Sequence, residues 1–158
     1  MKKVILLSLG FVILNMVVSC SSVKIQYDKT TDFSQYRSFA FFKKGLDNLN
    51  LPASKKQLVV ETISEILEAK GYKRSKHPDF VVNIFTDLYK RVDVYPGYYP
   101  YHRRVYKTIE GKLYIDIVDV KTKKVVWTGE THINLQGNDS RKIQRAIEKL
   151  LSKFPPQK

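Results

Sequence analysis

The chain has 158 residues, 28 Lys and Arg against 15 Asp and Glu, and a single cysteine. One cysteine excludes an internal disulfide framework and any zinc site built on paired thiolates. A basic excess this large would suit nucleic acid, but the opening segment argues against that class by sending the chain out of the cytoplasm.

Lys2 and Lys3 precede an almost unbroken apolar run over 4–18, and Val17-Val18-Ser19-Cys20 closes it. About 15 apolar residues fall short of the roughly 20 that a spanning helix needs, so the run reads as a removed signal. A plain cleaved signal would leave Cys20 as an odd exported thiol open to oxidation, whereas acylation uses it. The segment resembles the signal peptides of bacterial lipoproteins, with Val17 where leucine is usual. Several acyl chains on one cysteine hold more firmly than a single chain.

The chain therefore divides into a cleaved lipoprotein signal peptide over 1–19, a lipidated cysteine and short tether over 20–22, and a single α+β domain over 23–156. Its expected partner is the membrane, through acyl chains on Cys20. An envelope protein, an anionic lipid or a glycan are the further candidates, and nucleic acid is excluded. Ser21, where an aspartate would favour the inner membrane, points to the outer membrane and the periplasm. Lys2 and Lys3 leave with the signal, so the mature chain keeps 26 basic residues against 15 acidic ones, a charge of +11.

Val23-Lys24-Ile25-Gln26-Tyr27 alternates apolar and polar, the period of a half-buried strand. Asp32-Phe33-Ser34-Gln35 offers an N-cap and a glutamine three positions on, enough for a single helical turn. The stretch 36–42 crowds in Tyr36, Phe39, Phe41 and Phe42 and favours a strand. Gly45, Asp47, Asn48, Asn50 and Pro52 make 43–52 a loop. A helix follows, with Ser54 and Gln57 as capping box. Val59, Ile63, Ile66 and Leu67 form its stripe, Lys70 lies at the edge, and Gly71 is the C′ residue.

The stretch 80–94 reads as a long strand with Phe80, Val82, Ile84 and Leu88 on one face, and 95–101 as a surface loop. Strand character returns at Val105, where Leu113, Ile115 and Ile117 alternate with polar residues. After a polar turn, Val125, Trp127, Gly129, Thr131, Ile133 and Leu135 fall on every second position. Pairing apolar with apolar sets Ile117 opposite Val125, Ile115 opposite Trp127 and Lys112 opposite Glu130. The break at 137–140 caps a last helix with Ile143, Ala146, Ile147, Leu150, Leu151 and Phe154 on one stripe, stopped by Pro155 and Pro156. The expected fold is α+β, a largely antiparallel sheet of about four to five strands with two helices packed on one face.

Chemistry is sparse. His77, His102 and His132 are scattered, no helical metal pair exists, and no cofactor or metal is expected. Asp116 and Asp119, three apart on a strand, point to opposite faces. Asp116, Glu130 and His132 are the set from which a small envelope hydrolase or ligand-processing enzyme would be built on the 111–135 hairpin, and the preferred register does not converge them. The chain is read as non-enzymatic, without catalytic residues. The stretch built for contact is 93–106: Tyr95, Tyr98, Tyr99, Tyr101 and Tyr106 sit with Arg103 and Arg104, and Tyr and Arg are enriched where interfaces carry their energy. The competing reading folds the tyrosine rings back onto the sheet.

Several short motifs recur together. They are Tyr27-Asp28, Asp32-Phe33-Ser34-Gln35-Tyr36, Lys70-Gly71-Tyr72, Pro78-Asp79-Phe80-Val81-Val82, Glu110-Gly111-Lys112-Leu113, Asp116-Ile117-Val118-Asp119, Val126-Trp127 and Lys153-Phe154-Pro155-Pro156. With them the chain resembles, from about Val23 to Pro156, the lipoprotein family of domain of unknown function 4136. The tyrosine loop departs from it, with Gly97 where many relatives carry several glycines. The resemblance implies an envelope lipoprotein of mixed α/β fold and no assigned activity.

Overall fold

The computed structural model describes residues 23–96, 103–135 and 140–157. They form β1 (Val23–Tyr27), β2 (Ser38–Phe41), α1 (Lys43–Asp47), α2 (Ala53–Ala69), β3 (Lys73–Arg74), β4 (Phe80–Pro96), β5 (Arg103–Asp119), β6 (Val125–Asn134) and α3 (Ser140–Leu151). The strands make one sheet in the order β1-β6-β5-β4-β2-β3. β1, β6, β5 and β4 are antiparallel neighbours, and β2 runs parallel to both β4 and β3. The α+β class and the mainly antiparallel sheet stand as read. The counts do not: six strands and three helices replace four to five and two.

The two extra elements have physical reasons. β3 is two residues long, too short to show a period. α1 occupies the stretch read as a loop, and its glycine serves close approach instead of a turn. A Cβ at Gly45 would collide with the end of the Asn83 side chain on β4, so a larger residue there would require that side chain to turn away for this short helix to lie against the strand. The single turn before β2 is the 3-10 segment Phe33–Gln35, capped as expected by Asp32, whose carboxylate accepts from the Ser34 N–H at 3.0 Å.

α2 starts one residue before the expected Ser54 cap. Pro52 is its N-cap with no side-chain cap bond, and Gln57 donates to Glu61 at 2.7 Å instead of closing a capping box. Its end is as read. Gly71 adopts φ +98, a conformation glycine takes without penalty, and the Tyr72 N–H reaches back to the Leu67 carbonyl at 3.0 Å. Val59, Ile63 and Leu67 on α2 and Ile143, Ile147, Leu150 and Leu151 on α3 are buried against the sheet. Each such side chain contributes on the order of 1.5–3 kcal/mol.

The β5–β6 register differs from the expected one by two residues. Ile117 pairs with Trp127 and Lys112 with His132, with an irregularity between Ile117 and Val118. The apolar phase holds from Trp127 to Ile133, but it slips by one at the irregularity: Val125, expected inside, is 51% exposed, and Val126 is buried in its place. The ladder steps from Ile117↔Trp127 to Val118↔Val125, so the irregularity, which skips Val126, accounts for one residue of the shift; the turn beyond is held by the Asp119 carboxylate, which accepts from the Thr122 N–H at 2.6 Å.

Between the helices and the sheet lies an aromatic hub centred on Phe80 and Phe154. Phe154 packs at 5.4 Å from Trp127, 5.6 Å from Tyr72, 5.8 Å from Phe33 and 5.9 Å from Phe80. Tyr36 and Phe39 reach Phe80 from the other side.

Candidate binding surface

β4 and β5 pair continuously from Phe80↔Asp119 to Pro96↔Arg103. Their neighbours are shorter. β2 pairs with β4 only through Val82, and the β6 ladder on β5 ends at Glu110↔Asn134. The seven pairs from Lys90↔Ile109 to Pro96↔Arg103 therefore form a two-stranded arm beyond the six-stranded body. At about 3.3 Å per residue it projects roughly 20 Å. Gly111 marks its base, since a Cβ there would run into the Asp87 carbonyl and the Leu88 backbone across the ladder.

This arm relocates the tyrosine stretch. Tyr95 pairs with Arg104, Pro96 with Arg103 and Asp93 with Tyr106. Tyr95 and Pro96 thus lie within β4, a correction to the loop over 95–101, while Arg103, Arg104 and Tyr106 lie within β5, which begins two residues before the expected Val105. Tyr98, Tyr99 and Tyr101 lie outside the described residues, as does Cys20.

At the arm's base, the sheet face away from α2 and α3 carries a ladder of aromatic and charged groups. Phe85, 42% exposed, stacks on Tyr114 with centroids 4.7 Å apart and planes 7° from parallel, and Tyr89 farther along is 50% exposed. Lys112 donates to Glu130 at 2.8 Å, diagonally across the strands instead of directly opposite. That hydrogen bond holds the Glu130 carboxyl below its usual range and Lys112 above its own. Asp116 accepts from the Thr128 hydroxyl at 2.8 Å. Burial pushes its carboxyl up, and the hydroxyl partly offsets this.

Asp116, Glu130 and His132 share this face but serve different partners. Asp116 lines a groove of about 390 Å³ with Gln26, Tyr27, Asp28 and Thr128, a lining that includes neither Glu130 nor His132. Among the described residues no cluster of His, Asp and Glu is arranged to hold a metal ion, and no helix is long and apolar enough to cross a membrane.

The motif residues that carry the family resemblance gather elsewhere. The Tyr36 hydroxyl donates to Asp119 at 2.8 Å, and the Tyr72 hydroxyl to the Pro155 carbonyl at 3.0 Å. Asp79 accepts from the Arg37 N–H and the Ser38 N–H, both at 2.9 Å, tying β2 to the start of β4. Burial pushes the Tyr72 hydroxyl up to about 12. Together with Phe80, Trp127 and Phe154 these residues build the hub, so most of what marks the family is architecture.

Residues 23–156 match the family described as Domain of unknown function (DUF4136). No curated protein matches the chain. Among solved structures, a PDZ domain protein from Parabacteroides distasonis superimposes with TM-score 0.58 at 15% identity, covering 87% of this chain and 36% of that one. The chain thus spans about a third of that protein's length. The PelC dodecamer from Paraburkholderia phytofirmans superimposes with TM-score 0.56 at 13% identity, covering 88% of this chain and 100% of that one. At these identities the likeness is one of fold.

Proposed function

We propose that this chain, which belongs to the family of domain of unknown function 4136, is a lipid-anchored, non-enzymatic binding module of a bacterial cell envelope. Cys20 tethers it to the outer membrane on the periplasmic side, and the β4–β5 arm with the open sheet face at its base captures an envelope component. The observation that carries this reading is the arm itself. A two-stranded ribbon is marginally stable alone, yet this one extends seven pairs past its supporting strands. It also exposes Tyr89, Val92, Val105 and Ile109 to solvent. Apolar and aromatic side chains in that setting are better explained by a contact than by folding.

The pairing of the polar groups on the open face supports the non-enzymatic part of this reading. Asp116 is satisfied by Thr128 and Glu130 by Lys112, which leaves no poised acid and base pair. The test uses a photoreactive amino acid at Tyr89 in intact cells, with mass spectrometry of the products. Replacing Tyr98, Tyr99 and Tyr101 together with Ser is expected to remove the specific product while leaving the melting temperature nearly unchanged. A large loss of stability would identify the tyrosines as core and defeat the reading.

A further inference from the structure

The arm has two unlike faces. On the side of the sheet that carries α2 and α3, Lys90 pairs with Ile109, Val92 with Lys107 and Val94 with Val105. Val92 and Val105 are 54% and 53% exposed, and Lys90 and Lys107 are exposed beside them. No residue at these positions is acidic. The acidic residues Asp93 and Glu110 fall on the opposite face, where Arg91 lies 3.1 Å from Asp93 and 3.8 Å from Glu110. Apolar groups set among unopposed lysines are what a bilayer with anionic headgroups recognises.

The chain direction points the same way. Val23 pairs with Thr131, and Thr131 with Leu113. The first described residue of β1, Val23, therefore lies at the end of that strand that faces the arm. From Leu113 to the last ladder pair at Arg103 is ten residues, about 33 Å at 3.3 Å per residue. The three residues from Val23 back to Cys20 reach at most about 10 Å. An arm aligned with the bilayer normal would thus drive roughly 20 Å of ribbon with unpaired edge groups into lipid, which hydrocarbon does not accept. An arm lying along the surface avoids this cost.

We infer that the helix-side face of the arm, formed by Lys90, Val92, Val105 and Lys107, rests on an anionic bilayer as a second membrane contact. This rests on Cys20 being acylated. The acylated full chain carrying Val105→Cys, its one free thiol labelled with an environment-sensitive fluorophore, is bound to vesicles of phosphatidylglycerol and phosphatidylethanolamine or of phosphatidylcholine alone. A lipid nitroxide near the headgroup is the quencher. Quenching at position 105 is expected to be at least about twofold deeper on the anionic vesicles. Lys90→Glu with Lys107→Glu should reduce it to the neutral level, whereas Lys121→Glu with Lys124→Glu, on the far turn, should not. A label at Lys121→Cys should stay unquenched. Equal quenching on both vesicle types, or none, overturns the inference. So does a label already buried without vesicles, which would mean that protein covers the arm. Flotation reads the anchor separately: a chain that floats with neither vesicle type lacks the acyl anchor, and both readings fall.

Discussion

Tyr36 and Asp119, 83 residues apart in sequence, are joined by a buried hydrogen bond of 2.8 Å. The bond links the strand entering β2 to the end of β5, where Asp119 also holds the turn through Thr122. Removing the hydroxyl in Tyr36→Phe leaves a buried acceptor short of a donor, and is expected to cost about 1–3 kcal/mol. Burial and the Asp119 carboxylate both raise the Tyr36 hydroxyl above its ordinary range. A raised folded value means stability that is complete below the unfolded value near 10 and is lost as pH climbs beyond it. Melting in alkaline buffer should show wild type losing stability there and Tyr36→Phe losing less.

Phe154 lies three residues past the end of α3 at Leu151, yet it touches Phe33, Tyr72, Phe80 and Trp127. Phe154→Ala should cost about 3–5 kcal/mol, a large part of the 5–15 kcal/mol typical of a whole domain. Denaturant unfolding checks it: a lowered midpoint with unchanged slope is expected.

Acid should destabilise the domain through two carboxylates. Burial alone would raise Asp79 and Asp119, but the hydrogen bonds they accept outweigh it, and both sit below the usual range. Groups with a depressed folded value add stability above the unfolded value, near 3.9, and lose it as pH falls through the folded one. The melting temperature should therefore drop as pH is taken below about 4. Asp79→Asn and Asp119→Asn should each flatten that dependence.

The parts of the fold legible in the sequence were those with local signals. The alternation of Leu113, Ile115 and Ile117, the stripe of Val59, Ile63 and Leu67, and the break at Gly71 all report on neighbours within a few residues. The hub was not legible, because Tyr36, Tyr72, Phe80, Trp127 and Phe154 come from five separate segments and meet only in the tertiary structure. α1 was hidden because Gly45, which permits close packing on Asn83, looks the same in sequence as a turn glycine. The register was missed because the ladder skips Val126 between Ile117 and Val118, an irregularity that a strict alternation pattern does not encode. The tyrosine stretch was read as a surface loop built for contact, and its prolines disguised a strand end. Pro96 is tolerated there because the ribbon has no third strand on which to spend an N–H.

The most direct test of this account replaces residues 90–109 with Asn-Gly, a two-residue turn joining Tyr89 to Glu110, which already face each other across the ladder. If the hub carries the fold and the arm carries the contact, the shortened chain will melt within a few degrees of wild type while losing its crosslinked partner in intact cells. A shortened chain that fails to fold, or one that folds and still captures the same partner in full, would contradict it.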